Sequence, residues 1–452
     1  MNDILYSNQK AKEWLEKICS QRFNSKAKIN ITPDSIIISF RSFDYKFVIN
    51  GYNSDFNKGI DGISYSTWDA NTVGLQNPLG APIPVIGLKD KAKELIKIEE
   101  DQSQVNFDFL GMVYFALARV EELGDYDTDR HQRFRFEDSH AYRFGYIERP
   151  YIDEWFNIFC QILYKKNLIK QIPKCEDKIL LSHDVDRPAK YSFTNLMGFT
   201  KAFVKDILSR QFNDAFYLGF YRLLKPRSLI EKDPYNTFDY LMNISEESGL
   251  KSTFYFIAGN SSKTKDADYI ISENEILSLI ENIASRGHYI GVHPSYNSYL
   301  SEEIIESETL KLRQVFDQLD ISQNFIKSRM HYLKFKHPYT YRYLSNAGIK
   351  QNSTMGFAEH VGFRAGTCWP YPVFDPINMI ELPIEESPLI AMDVTLYGSS
   401  YMNIKDHRSI EDKLKQLYKT TSQVGGRFEL LWHNSNLKGY KKLYKSFVSS
   451  IK

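Results

Sequence analysis

The chain is poor in cysteine, in any surplus of one charge and in long apolar runs, and each shortage excludes a class of function. Its four cysteines, Cys19, Cys160, Cys175 and Cys368, lack Cys-x-x-Cys spacing, which argues against a zinc knuckle and a disulfide framework alike. A reducing, cytoplasmic setting is expected. Lys and Arg number 57 against 56 Asp and Glu, so a net charge of +1 supplies no general pull toward nucleic acid or an anionic membrane. The most apolar stretch, Phe107 to Leu123, is interrupted by Asp108, Arg119, Glu121 and Glu122. No run reaches the roughly 18 to 20 apolar residues of a membrane span. The segment from Met1 to Phe23 has no basic stretch leading into an apolar core and a small-residue cleavage site, so no signal peptide is expected.

What is present is ample core material: 42% of the 452 residues are hydrophobic, enough for two or three domains. The 30 Tyr and 30 Phe suit either sugar-stacking surfaces or aromatic cores. Residues 1–172 read as a small α+β module of unknown role. Lys28–Ile31 and Ile36–Phe40 are strand-like around a Pro33-Asp34 turn signal, and helices are expected over Phe107–Leu123 and Tyr151–Lys166. Between those helices, Arg130, His131, Arg133, Arg135, His140, Arg143 and Arg149 form a basic stretch, readable as a surface for an anionic partner or as a loop against the neighbouring domain.

Beyond the polar connector Gln171–Lys178, short apolar runs alternate with amphipathic helices, the pattern of a parallel sheet or barrel. Strands are expected at 179–182, 252–257, 289–292, 325–330, 351–355, 379–383 and 428–432. Ser272 to Glu275 begins like a capping box, with Gly287 ending that helix. Residues 187–233 are too long for a simple connection and are expected to be a helical insertion covering the site opening.

The first of these strands ends in Ser182-His183-Asp184-Val185-Asp186, where Asp184 and Asp186 share a face. Two crowded carboxylates are costly unless a cation or a proton-transfer task separates their roles. Other strand ends carry His293, Arg329 with His331, and His433, and strand ends are where parallel α/β folds collect their active sites.

In chain order these residues resemble the motifs of the NodB-homology polysaccharide deacetylases, carbohydrate esterase family 4. The first motif is similar to Ser182–Asp186, the second to Gly287-His288-Tyr289-Ile290-Gly291-Val292-His293, the third to Arg329-Met330-His331-Tyr332, and the last to Leu430-Leu431-Trp432-His433. The resemblance covers residues 178–452 and implies a distorted (β/α)7 barrel, preceded by the smaller α+β domain. It implies a metal-dependent hydrolase that removes N-acetyl groups from an amino sugar of a surface polysaccharide or its precursor. Asp186 and His293 would hold a divalent ion, zinc by preference, Asp184 would act as general base oriented by Arg329, and His433 would protonate the leaving amine. One departure stands out: where the family places its second metal-binding His, this chain has Asn297. Asn297 could offer a weaker carbonyl ligand; His331 is an alternative third ligand, with a substrate contact or a structural role equally open to it. His288 reads as structural.

The loop from Gly356 to Tyr371 concentrates Gly, charge and aromatics, so His360, Arg364 and Trp369 are candidate substrate contacts. Asp393 is a candidate supporting acid by position alone. Two other classes stay open: a carbohydrate-binding relative that has lost its metal, and a hydrolase of a non-sugar amide.

Overall fold

Period-two alternation builds the first sheet. In β1 (Ala27–Ile31), β2 (Ser35–Phe40) and β3 (Lys46–Asn50), Ile29, Ile36, Ile38, Phe47 and Ile49 face inward, while their neighbours stay at least partly exposed. A two-stranded ribbon follows, β4 (Tyr65–Trp68) with β5 (Ile83–Ile86), and then β6 (Ile96–Ile98) and β7 (Gln102–Val105), which complete a five-stranded sheet ordered β1-β2-β3-β7-β6. The computed structural model describes residues 4–50, 56, 62–88 and 94–451. Helices Gln9–Phe23, Phe109–Leu117 and Tyr151–Lys165 pack Trp14, Phe109 and Trp155 into one aromatic-rich core with this sheet.

The helix expected over 107–123 is shorter than its apolar pattern. It stops at Leu117, and Arg119 enters a left-handed backbone (φ 48°) while its buried guanidinium pairs with Glu121 and Glu122.

The remainder of the chain forms a nine-stranded sheet: β8 (Ile179–Val185), β9 (Ser252–Phe256), β10 (Tyr289–Val292), β11 (Lys327–Ser328), β12 (Gln351–Asn352), β13 (Tyr371–Asp375), β14 (Ile380–Glu386), β15 (Ala391–Met392) and β16 (Phe428–Leu431). Its order is β13-β14-β12-β11-β10-β9-β8-β16-β15, and every neighbouring pair is parallel except β13 with β14. The link from β14 to β15 hydrogen-bonds on two sides. Ser387 N and Leu389 N donate to Asn352 O and Met355 O at 2.8 and 3.1 Å, and Ile390 N donates to Glu429 O at 3.1 Å. The ladders expected over 325–330 and 351–355 shrink to two residues each: beyond them Met330 N donates to Thr354 Oγ1 at 3.1 Å, and Thr354 N and Met355 N donate to the Glu386 carboxylate at 3.0 and 2.9 Å. The helix expected from Ser272 runs from Asn274 to Ser285, with Glu273 at its cap position making no side-chain cap bond; Gly287 follows at φ 79°. The long insertion contains two helices, Leu196–Leu208 and Phe212–Leu224.

The two sheets share packing. Phe357, Ala365, Tyr371 and Phe374 belong to the core of the first sheet, and Trp14 Nε1 donates to Pro372 O at 2.7 Å.

Candidate metal centre

Alternation along β8 sorts its residues. His183 lies in the core, its ring nitrogens against Trp432 O at 2.7 Å and Ser252 Oγ at 3.2 Å. Ser182, Asp184 and Asp186 project to the other face. His293 follows the end of β10; its Nδ1–H donates to Arg329 O at 2.5 Å, which leaves Nε2 3.4 Å from Asp186 Oδ1 and 3.5 Å from Asp184 Oδ2. His331 follows β11, donates from Nδ1 to Asp266 Oδ1 at 2.9 Å, and sets Nε2 3.6 Å from Asp186 Oδ1. Ligand atoms of Asp186, His293 and His331 all lie within 4.8 Å of one another. Both imidazoles thus have the far nitrogen held and the near one turned to a common point, as ligating histidines do.

Two atoms at that point test whether a cation fits. Asp186 Oδ1 and His331 Nε2 are buried and have no hydrogen-bond partner. Buried polar atoms without partners are costly, and a cation bound between them would satisfy both. The backbone beyond His331 is strained, with Tyr332 and Leu333 consecutively left-handed (φ 61° and 54°), and the turn packs the Tyr332 ring against His331 at 4.7 Å.

Charge is arranged around the cluster. Arg329 is wholly buried, with Nη1 donating to Asp184 Oδ1 at 3.0 Å and to Ser182 Oγ at 2.9 Å, and Nη2 donating to Glu429 Oε1 at 2.7 Å; its guanidinium lies 4.6 Å from the Tyr255 ring centre. His433 donates from Nδ1 to Asp393 Oδ1 at 2.7 Å and places Nε2 3.7 Å from Asp186 Oδ2. Burial alone would lower the His433 pKa, but Asp393 and then Asp186 and Asp184 carry it up to about 10. His331, likewise opposed by burial, is raised to about 9 by Asp186 and Asp266. Against its own burial, Asp186 is held well below the usual carboxylate range by His331, His293 and His433. The cluster is a site of concentrated and compensated charge.

These residues floor a cavity of about 630 Å³. Part of its wall is foreign to the second sheet: Arg130, His131 and Arg133 reach it from the amino-terminal part, with Arg133 Nη1 donating to Tyr332 O at 2.9 Å. Lys265, Tyr296 and Tyr401 also line it.

Four sequence-based candidates stand elsewhere. Asn297 is exposed and spends its amide on Ser261 O at 3.0 Å, outside the Asp186–His293–His331 cluster, because the chain after Pro294 turns toward Ser261. Arg364 is buried in a two-pronged pair with Glu122 at 2.8 and 2.7 Å, Trp369 packs under the Arg22 guanidinium at 4.7 Å, and His360 stacks on Phe136 at 5.5 Å. That aromatic and charged loop is the seam with the amino-terminal part, and its composition suits such a seam as well as a sugar groove.

Sequence reasoning passed over Glu429, Asp266 and the amino-terminal arginines as members of the site. Glu429 had a signal, a lone acid within the apolar run Phe428–Trp432. Asp266 had none. Asp393, a candidate by position alone, is fully buried against His433.

Residues 4–168 match a family of unknown function, DUF7033. No curated protein matches the chain. Among solved structures, a Mycobacterium smegmatis protein described as a polysaccharide deacetylase is similar at 14% identity, over 63% of this chain and 86% of its own, with a TM-score of 0.41. A CE4 family pseudoenzyme from Bacillus anthracis is similar at 6% identity, over 62% of each chain, with a TM-score of 0.31. The chitin deacetylase of Colletotrichum lindemuthianum is similar at 12% identity, over 62% of this chain and 84% of its own, with a TM-score of 0.28.

Proposed function

We propose that the chain is a metal-dependent amide hydrolase that removes the N-acetyl group of an amino sugar, working within a seven-membered β/α barrel in which the β14–β15 segment is the member between β12 and β16. The observation that carries this reading is the pair of buried atoms Asp186 Oδ1 and His331 Nε2, neither with a hydrogen bond, facing His293 Nε2, with Asp184 and His433 beside them. Asp186, His293 and His331 would hold the ion, and a donor set of two imidazoles and one carboxylate suits zinc. A divalent cation there supplies a Lewis acid and acidifies a water near neutral pH.

The chain's own residues do the rest. Asp184, oriented by its charge-assisted bond from Arg329, accepts the proton of the attacking water. The new bond is carbon to oxygen, and the bond that breaks is carbon to nitrogen. His433, protonated and held by Asp393, gives its proton to the departing nitrogen, so acetate and a free amine leave. Tyr296, Tyr332 and Tyr401 line the cavity, and aromatic side chains are a common lining for a sugar ring.

Metal content by plasma mass spectrometry, set beside acetate release from N-acetylated amino sugars, tests this reading. Asp186→Ala and His331→Ala should lose the metal, whereas Asp184→Asn should retain it and lose turnover by about a hundredfold or more. Equal metal loss in all three would end the division between ligand and base, and metal-free wild-type protein that still binds glycans would favour a binding role.

A further inference from the structure

Of the 19 large hydrophobic residues exposed among the described residues, nine lie on the helical insertion between Leu196 and Leu224. On the second helix they form one stripe: Phe212, Phe216, Phe220, Leu223 and Leu224, spaced i, i+4, i+8, i+11 and i+12, with Phe216 at 64% exposure and Leu223 at 78%. Met197, Val204 and Leu208 make the matching exposed row on the first helix.

The stripe is no by-product of a poorly packed hairpin, because the inner faces are already filled. Phe199 and Phe203 pack with Tyr191, and Ala215 and Leu218 are buried; Phe216, otherwise exposed, meets Phe203 edge-on at 6.2 Å. Asp206 accepts from Tyr191 Oη at 2.6 Å and pairs with Lys190. The hairpin base is tied down by Arg222 Nη2 to Thr194 O at 2.6 Å and Phe193 N to Pro226 O at 2.9 Å.

Charge names the occupant. Residues 195–227 carry six basic side chains, Lys201, Lys205, Arg210, Arg222, Lys225 and Arg227, against two acidic ones, although the whole chain is nearly neutral. An outward row of Phe and Leu bordered by Lys and Arg is the composition of a helix lying in a bilayer interface, where the rings enter the acyl boundary and the cations meet anionic headgroups. We propose that this hairpin docks the protein on an anionic phospholipid surface, with Phe212, Phe216, Phe220, Leu223 and Leu224 as the inserted face. Met197 and Lys201 of the first helix also wall a groove of about 360 Å³ that shares Asp186 and His331 with the metal cluster. A bilayer beneath the hairpin therefore lies beside the approach to the site.

The test is co-sedimentation of the full chain with vesicles of equal parts phosphatidylcholine and phosphatidylglycerol, a readout that needs neither metal nor turnover. Wild-type protein should pellet with these vesicles and less so with pure phosphatidylcholine. The Phe216→Ser/Phe220→Ser double variant should partition about tenfold or more weakly while keeping its circular dichroism spectrum, since the altered side chains are exposed. Lys205→Glu/Arg210→Glu should weaken binding to the anionic vesicles alone. Wild-type protein that stays in the supernatant, or binding unmoved by the Phe216/Phe220 change, would overturn the proposal. A self-associating species that the same change dissociates, without vesicle binding, would instead assign the face to a second copy of the chain.

Discussion

At the scale of single residues, the site holds each imidazole at its far nitrogen. His293 is held by the Arg329 carbonyl, His331 by Asp266 and His433 by Asp393, so each near nitrogen has one direction open to it. For His433 the hold also sets acidity: Asp393 is the chief group that raises its pKa, to about 10, against burial. Protonated His433 is therefore retained through neutral pH and lost only as pH rises toward that value. Asp393→Asn removes the raising charge, so the pKa falls and the alkaline limb of the rate profile should move to lower pH. Acetate release near about pH 8.5 should drop about tenfold more than near about pH 6. An unshifted profile would remove His433 from the role of acid.

At the scale of elements, β10 shows why its sequence carries glycine at 291. A Cβ there would stand 2.4 Å from Tyr255 Cδ1 on β9 and 3.0 Å from Lys327 O on β11. The Tyr255 ring in turn lies against the Arg329 guanidinium that orients Asp184. Gly291→Ala should thus cost about 1–3 kcal/mol in urea unfolding through overpacking. It should also lower turnover more than metal content, because it displaces Tyr255 and Arg329 rather than Asp186, His293 and His331. Unchanged turnover with lowered stability would show that Arg329 tolerates the shift.

At the scale of the whole molecule, the amino-terminal part completes the second one. Arg22 binds Asp153 at 2.6 Å and Thr367 at 2.8 Å, Arg364 crosses to Glu122, and Arg133 ties the 129–133 segment to Tyr332 of the cavity wall and to Glu359. Breaking a buried pair leaves a charge without its partner, so Arg364→Ala should destabilise the fold by about 3 kcal/mol in denaturant unfolding. The folded fraction should keep its metal and its affinity for substrate. A selective loss of substrate affinity at unchanged stability would return Arg364 to the substrate contacts.

The sequence by itself determined the alternation of strands and helices after residue 178 and the strand ends that carry Asp184, Asp186, His293, His331 and His433, because period and punctuation are local properties of the chain. The tertiary structure alone decided which of those side chains converge. On the sequence Asn297 is the weaker donor and His331 an alternative with other roles open to it; in the fold His331, its backbone N–H on Pro294 O at 3.1 Å and its ring on Asp266, sets Nε2 3.6 Å from Asp186. It also decided that the aromatic loop at 356–371 packs on the amino-terminal core while the arginines of 130–133 face the cavity. The physical reason is common to both cases: a side chain's composition states what it could bind, and only long-range packing states what lies within its reach.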